Sequence, residues 1–149
     1  MTGWPLYALV MLATGIGIPI MAALNAGLGA RIGSAPAASC ILFALALAIA
    51  VAATWLTGTP RAANWAEASP VYYAGGAFVA FYVLAVTWIA PRFGVANAVF
   101  FVLLGQLVSA AAIDHYGLFG APRVPLSLMR TAGLTLMALG VFLARQPFR

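Results

Sequence analysis

The chain has 149 residues, 65% hydrophobic and 6% charged, with a mean hydropathy of +1.07 and a net charge of +5 from seven arginines set against Glu67 and Asp114. Soluble domains carry about 25% charged residues, so this composition excludes a water-soluble globular protein and puts the chain in a bilayer. The arginines stand singly between apolar runs, which suits orientation at lipid headgroups and excludes a nucleic-acid-binding surface.

A bilayer core about 30 Å thick takes about 20 apolar residues as a helix. Five runs qualify, at 6–24, 36–56, 71–89, 95–113 and 126–144. They predict an all-α membrane protein, a single five-helix transmembrane domain over 1–149. The first run is longer than a signal-peptide core of about 7 to 15 residues and has no basic flank, so it reads as a retained span. Its centre, TGIGIPIMAALN, places Thr14, Gly15, Gly17 and Pro19 together. Proline removes a backbone hydrogen bond and glycine eases bending, so an interruption is predicted there. Interrupted spans point to transporter binding sites; a plain kink is the alternative.

The second run holds Cys40, the only cysteine, which makes an intrachain disulfide impossible and a metal site unsupported. In the third, Phe78, Phe81 and Tyr82 fall at similar depth, either as packing or as an aromatic wall able to hold a cation. The fourth carries Gln106, the only side-chain amide near mid-membrane. An amide in hydrocarbon needs a partner, so Gln106 is expected to face the interior as packing glue or as a substrate contact. One broad face of this helix leads from Gln106 past Ser109 to Asp114. Between the runs lie GLGARIGSAP, TGTPRAANWAEASP, PRFG and DHYGLFGAPRVP, rich in residues that end helices. Trp4, Trp55, Trp65, Trp88 and Tyr116 fall near span ends, where amphipathic rings prefer the interface.

Five spans put the termini on opposite sides. Arg31, Arg92, Arg145 and Arg149 then share one face, and Arg61, Arg123 and Arg130 the other. The charge bias favours an outside N-terminus and a cytoplasmic C-terminus, but so slightly that insertion in both orientations stays open. Asp114 and His115 close the fourth run on the outer face. Because the fourth and fifth runs form a hairpin, Asp114 and Arg130 are expected at similar depth, either as an ion pair that pins the hairpin or, with His115, as a proton or cation station at the mouth of a pathway. Small-residue pairs (Ala22 with Ala26 and Ala30, Gly29 with Gly33, Gly76 with Ala80, Gly105 with Ser109, Gly133 with Gly140) predict close helix packing. One histidine, one cysteine and two separated acids make neither a metal ligand set nor a catalytic group, so no cofactor is expected and an enzyme is excluded.

The run APRFGVANAVFFVLLGQLVSAAAIDHYGLFGAPRVPLSLMRTAGLTLMALGVFLAR closely resembles the C-terminal half of the YdcZ family, small five-helix proteins of the drug/metabolite transporter superfamily. NAGLGARIGSAPAASCILFALA is similar to that family's first loop and second helix, and GGAFVAFYVL to its third-helix opening. The most specific matches are Gly105 with Gln106, the stretch IDHYGLFG, and Pro91 with Arg92. The resemblance implies a bacterial inner-membrane exporter. Larger superfamily members have ten helices in two inverted five-helix repeats, so the implied architecture is an antiparallel dimer in which a second subunit supplies the missing half. Four-helix relatives that couple to protons carry a glutamate in their first helix. Here that span has no acid, and Asp114 is the one residue to nominate instead.

The leading expectation is therefore a small-molecule exporter working by alternating access as an antiparallel homodimer. Thr14, Gly15, Gly17, Pro19, Phe78, Phe81, Tyr82, Gln106 and Ser109 would line the pathway, and Asp114, His115 and Arg130 would form a gate or coupling site. Two other readings stand beside it: a non-transporting accessory or assembly subunit, and one half of a heterodimer with an oppositely oriented paralogue.

Overall fold

The computed structural model describes residues 4–59 and 67–144. The five apolar runs become five helices: α1 (Trp4–Ile32), α2 (Ala35–Thr57), α3 (Gly75–Phe93, entered through a 3-10 turn at Pro70–Ala74), α4 (Val95–Tyr116) and α5 (Leu128–Ala144). No strand occurs among the described residues. The first four helices are long and apolar enough to cross a bilayer. The described part of α5 has 17 residues, at the short end of the roughly 17 to 25 that a spanning helix needs. Arg61, Trp65, Arg145 and Arg149 lie outside the described residues.

The largest boundary difference is at α1. The apolar run stops at Leu24, yet the helix continues to Ile32 and has 29 residues, about 43 Å at 1.5 Å per residue. Asn25, Gly27 and Gly29 are poor helix formers, but this segment packs against two other helices, and packing overrides propensity. What stops the helix is Gly33, in the left-handed region at φ 72°. There the amide of Ser34 reaches back to the carbonyl of Gly29 at 3.0 Å, the closing bond of a Schellman turn. The same Ser34 then starts α2, its hydroxyl accepting from the amide of Ala37 at 3.2 Å with Pro36 in the first turn. Ser34→Ala is expected to cost about 1 kcal/mol, measurable as a lowered thermal unfolding midpoint in detergent.

The expected interruption at Thr14, Gly15, Gly17 and Pro19 is not present, since α1 is helical throughout. Pro19 fails to donate only to the carbonyl of Gly15, and a membrane helix tolerates one such loss. Thr14 meanwhile returns its hydroxyl to the carbonyl of Val10 at 2.9 Å.

The chain divides into two compact units, Met1–Val95 and Ala96–Arg149. In the first, α1, α2 and α3 each pack on the other two. The core is Ala22, Ala26, Ala38, Val83, Val86 and Ala90, so short side chains let the backbones approach. Gly29 marks the tightest point: a Cβ there would lie 3.2 Å from the Thr87 methyl and 3.3 Å from the Ala35 Cα. Of the predicted small-residue positions, Ala22, Ala26 and Gly29 lie in this seam, whereas Ala30 is exposed and a Cβ on Gly33, Gly76, Gly105, Gly133 or Gly140 would meet nothing within 4 Å. In the second unit only Ala98 and Ala111 of α4 are buried, and no described residue of α5 is. Large apolar side chains such as Leu9, Leu24, Leu47, Phe78 and Leu128 are exposed along the helices, a surface suited to lipid and not to water.

Candidate functional site

Polar groups gather at two places, one in each unit. In the second unit the site begins where α4 ends. Gly117 takes a left-handed conformation at φ 65°, and after the short turn Leu118–Gly120 the chain doubles back through 121–127, which have no regular secondary structure. Phe119 inside that turn is also left-handed, at φ 56° and ψ 27°, which costs a side-chain-bearing residue roughly 1 to 2 kcal/mol. The GLFG of the IDHYGLFG motif is therefore the turn that brings the loop back.

The returning stretch is tied to the end of α4 at alternate residues. The amide of Val124 donates to the carbonyl of Asp114 at 2.8 Å. The amide of Leu126 donates to Nδ1 of His115 at 3.1 Å, and Nε of Arg123 donates to the His115 carbonyl at 3.3 Å. Because Nδ1 accepts, the imidazole is neutral here with its proton on Nε2. Ser127 caps α5, its hydroxyl accepting from the amide of Arg130 at 3.2 Å. Arg130 is thereby positioned in the first turn of α5. It donates through Nη1 to the Val124 carbonyl at 2.9 Å and through Nη2 to the Asp114 carboxylate. The Arg130 and Asp114 side chains are 30% and 36% exposed, and an ion pair that open contributes about 0 to 1 kcal/mol by charge attraction alone. The arrangement suits a contact that can form and break. Beside it, a cavity of about 400 Å³ opens between α4 and α5, lined by Leu104, Leu107, Ala111, His115, Leu126 and Leu134.

The first unit holds a polar knot that reading the sequence did not single out. Asn25 is 4% exposed, Ser39 1% and Thr87 3%. Nδ2 of Asn25 donates to Oγ1 of Thr87 at 2.6 Å and to Oγ of Ser39 at 3.5 Å. Each hydroxyl donates along its own helix, Thr87 to the carbonyl of Val83 at 2.6 Å and Ser39 to that of Ala35 at 2.9 Å. With their protons so committed, both oxygens can only accept, which fixes the amide with its nitrogen toward them. One amide thus joins three helices. Beyond the knot, a cavity of about 590 Å³ is lined by Gly29, Ser34, Thr87, Trp88 and Arg92 among others. The Arg92 guanidinium lies 4.8 Å from the centre of the Trp88 ring and donates to the Trp88 carbonyl.

The other pathway residues do not gather. Phe78 and Phe81 are both 74% exposed, and Tyr82 is half-buried beside them on α3. Thr14, Gly15 and Gly17 are exposed on α1, and Pro19 is half-buried. Gln106 and Ser109 are exposed, and neither side chain has a hydrogen-bond partner among the described residues. Among the described residues no three of His, Cys, Asp and Glu come together as metal ligands would.

A family model described as "Putative inner membrane exporter, YdcZ" matches residues 6–143. The chain belongs to the YdcZ family. Neither the curated proteins nor the solved structures contain a match. Membership in the YdcZ family, with helices long and apolar enough to cross a bilayer, makes this a multi-pass inner-membrane protein of a transporter family rather than of an enzyme family.

Proposed function

We propose that this YdcZ-family protein exports a small molecule across the inner membrane by alternating access, as an antiparallel dimer of five-helix subunits. The observation that carries the reading is Gln106. It sits at the middle of α4, exposed and without a hydrogen-bond partner among the described residues. Hydrocarbon penalises such a group by several kcal/mol, which supports its facing a second subunit or a substrate. Ser109 lies beside it, and Phe78, Phe81 and Tyr82 offer ring faces to an apolar or weakly cationic solute. Thr14, Gly15, Gly17 and Pro19 supply the pliable part of α1. Asp114, His115 and Arg130 form the outer gate, with the N-terminus outside and the C-terminus cytoplasmic in the slightly favoured orientation.

The arginine balance supports dual insertion, which an antiparallel homodimer requires. The test is a Cys40→Ala protein carrying one cysteine appended after Arg149, labelled with an impermeant thiol reagent in intact and lysed cells. Labelling of about half the protein in intact cells is expected for equal insertion both ways. Labelling near zero or near completion would overturn the homodimer, and co-purification would then decide between an oppositely oriented paralogue and an accessory role.

A further inference from the structure

We propose that His115 is a proton-sensing positioning residue: in its neutral form it holds the returning loop so that Arg130 is presented to Asp114, and on protonation it releases both. Its bearing on export rests on the gate reading above, whereas the switch itself rests on the hydrogen bonds within 114–130.

Nδ1 of His115 can accept from the amide of Leu126 only while it carries no proton. Protonation turns that nitrogen into a donor facing another donor, so the bond is lost outright. The consequence passes along three residues. Leu126 is one end of a short stretch whose other end, Val124, is bound by its amide to the Asp114 carbonyl and by its own carbonyl to Arg130. When Leu126 is freed, the stretch is left with the Val124 amide and the Arg123 side chain as its ties to α4, so the Val124 carbonyl is held less firmly as an acceptor for Arg130.

The charges around the ring act in the same direction. From α4, Asp114 precedes it and the Tyr116 ring stands edge-on at 4.7 Å between centroids. From the loop, Arg123 donates to the His115 carbonyl, and from α5, Arg130 reaches the Asp114 carboxylate. An imidazolium would therefore add a positive charge to a hairpin end that already holds the Arg123 and Arg130 guanidiniums and a single carboxylate. Histidine is the side chain whose charge ordinarily changes between about pH 5 and 8. The device accordingly latches while the ring is neutral and opens when it is protonated.

The experiment is amide hydrogen exchange on the full chain in detergent, read as protection of Leu126 and Val124 after correction for intrinsic exchange. In wild type, protection at Leu126 is expected to fall about tenfold or more between about pH 8 and about pH 5.5, within the range where histidine titrates. Asparagine places an acceptor oxygen near the position of Nδ1 but does not titrate, so His115→Asn should stay protected across the range. His115→Ala should be unprotected at every pH. Wild-type protection that ignores pH would overturn the proposal, and so would a His115→Asn variant that still loses protection in acid. If His115→Ala does not fold, wild type against His115→Asn still decides. Because no transport is measured, a failure of the switch is distinguishable from a failure of the exporter reading, which is tested separately by whether His115→Asn flattens the pH profile of efflux.

Discussion

A leucine in place of Gly29 is expected to push α1 away from α2 and α3 and to cost about 3 kcal/mol, the upper end of the usual penalty for overpacking. The reason is geometric. Even a methyl group at this position would meet the Thr87 methyl at 3.2 Å, the Ala35 Cα at 3.3 Å and the Ala38 Cβ at 3.6 Å. The backbone of α2 cannot swing aside as a flexible side chain can, so three further heavy atoms have nowhere to go. The wedge would also part Asn25 from Thr87, one turn away in the same seam, and so break the knot. Gly29→Ala should be far milder, at about 1 kcal/mol or less, because its neighbours need to give only slightly. Thr87→Ser removes the closest of them, the Cγ2 methyl, and keeps the hydroxyl that Asn25 needs. The double variant Gly29→Ala with Thr87→Ser should therefore lose less than the sum of its parts. Unfolding followed by tryptophan fluorescence in detergent measures the four variants against wild type. A Gly29→Leu midpoint equal to wild type would mean that this seam does not hold the unit together.

How far the fold was legible depended on which physical signal each feature left. Five apolar runs gave five helices because length and hydropathy are dictated by the bilayer and need no knowledge of neighbours. The return of the fifth helix beside the fourth followed from the short DHYGLFGAPRVP link, and with it the meeting of Asp114 and Arg130. The end of α1 did not show, because Asn25, Gly27 and Gly29 look like a loop until one sees what they pack against. That misplacement hid the knot: assigned to a loop, Asn25 gave no reason to seek partners in Ser39 and Thr87, each a lone hydroxyl in an apolar run. A signal was present in the spacing of Ala22, Asn25, Ala26 and Gly29, which lie on one helical face. His115 was legible as a titratable group, but its role as an acceptor for the Leu126 amide depends on the loop's path, which no periodicity encodes.

The two units are also built differently. The first buries small residues between three helices and ties them with an amide that has almost no contact with solvent. The second buries little and is held at one end by hydrogen bonds among partly exposed groups. Local opening free energy follows buried contact and protected hydrogen bonds, so the α4–α5 end is the part expected to open first. A gate has to sit where opening is inexpensive, which favours the Asp114 cluster over the Asn25 knot for the proposed role.

Asp114→Asn is accordingly expected to reduce efflux about tenfold or more, the equivalent of roughly 1.4 kcal/mol or more in the barrier, while leaving the folded protein largely intact. Asparagine keeps the shape and can still accept from Arg130, so what is lost is the charge, and with it the preference of the guanidinium for one position over another. Arg130→Gln should act alike, because it removes the other half of the pair and also the tie to the Val124 carbonyl. If the pair serves as a gate, the exchange of charges in Asp114→Arg with Arg130→Asp should recover part of the activity that either single reversal abolishes, since attraction across the hairpin is restored with opposite polarity. If the pair only pins the hairpin, the single variants should instead lower the unfolding midpoint by an amount that matches the efflux loss through reduced protein in the membrane. Efflux of a panel of neutral and cationic fluorescent solutes, normalised to the amount of folded protein, separates the two. Normalised efflux in Asp114→Asn equal to wild type would remove Asp114 from the transport step. The carboxylate would then serve only to hold α5 against the end of α4.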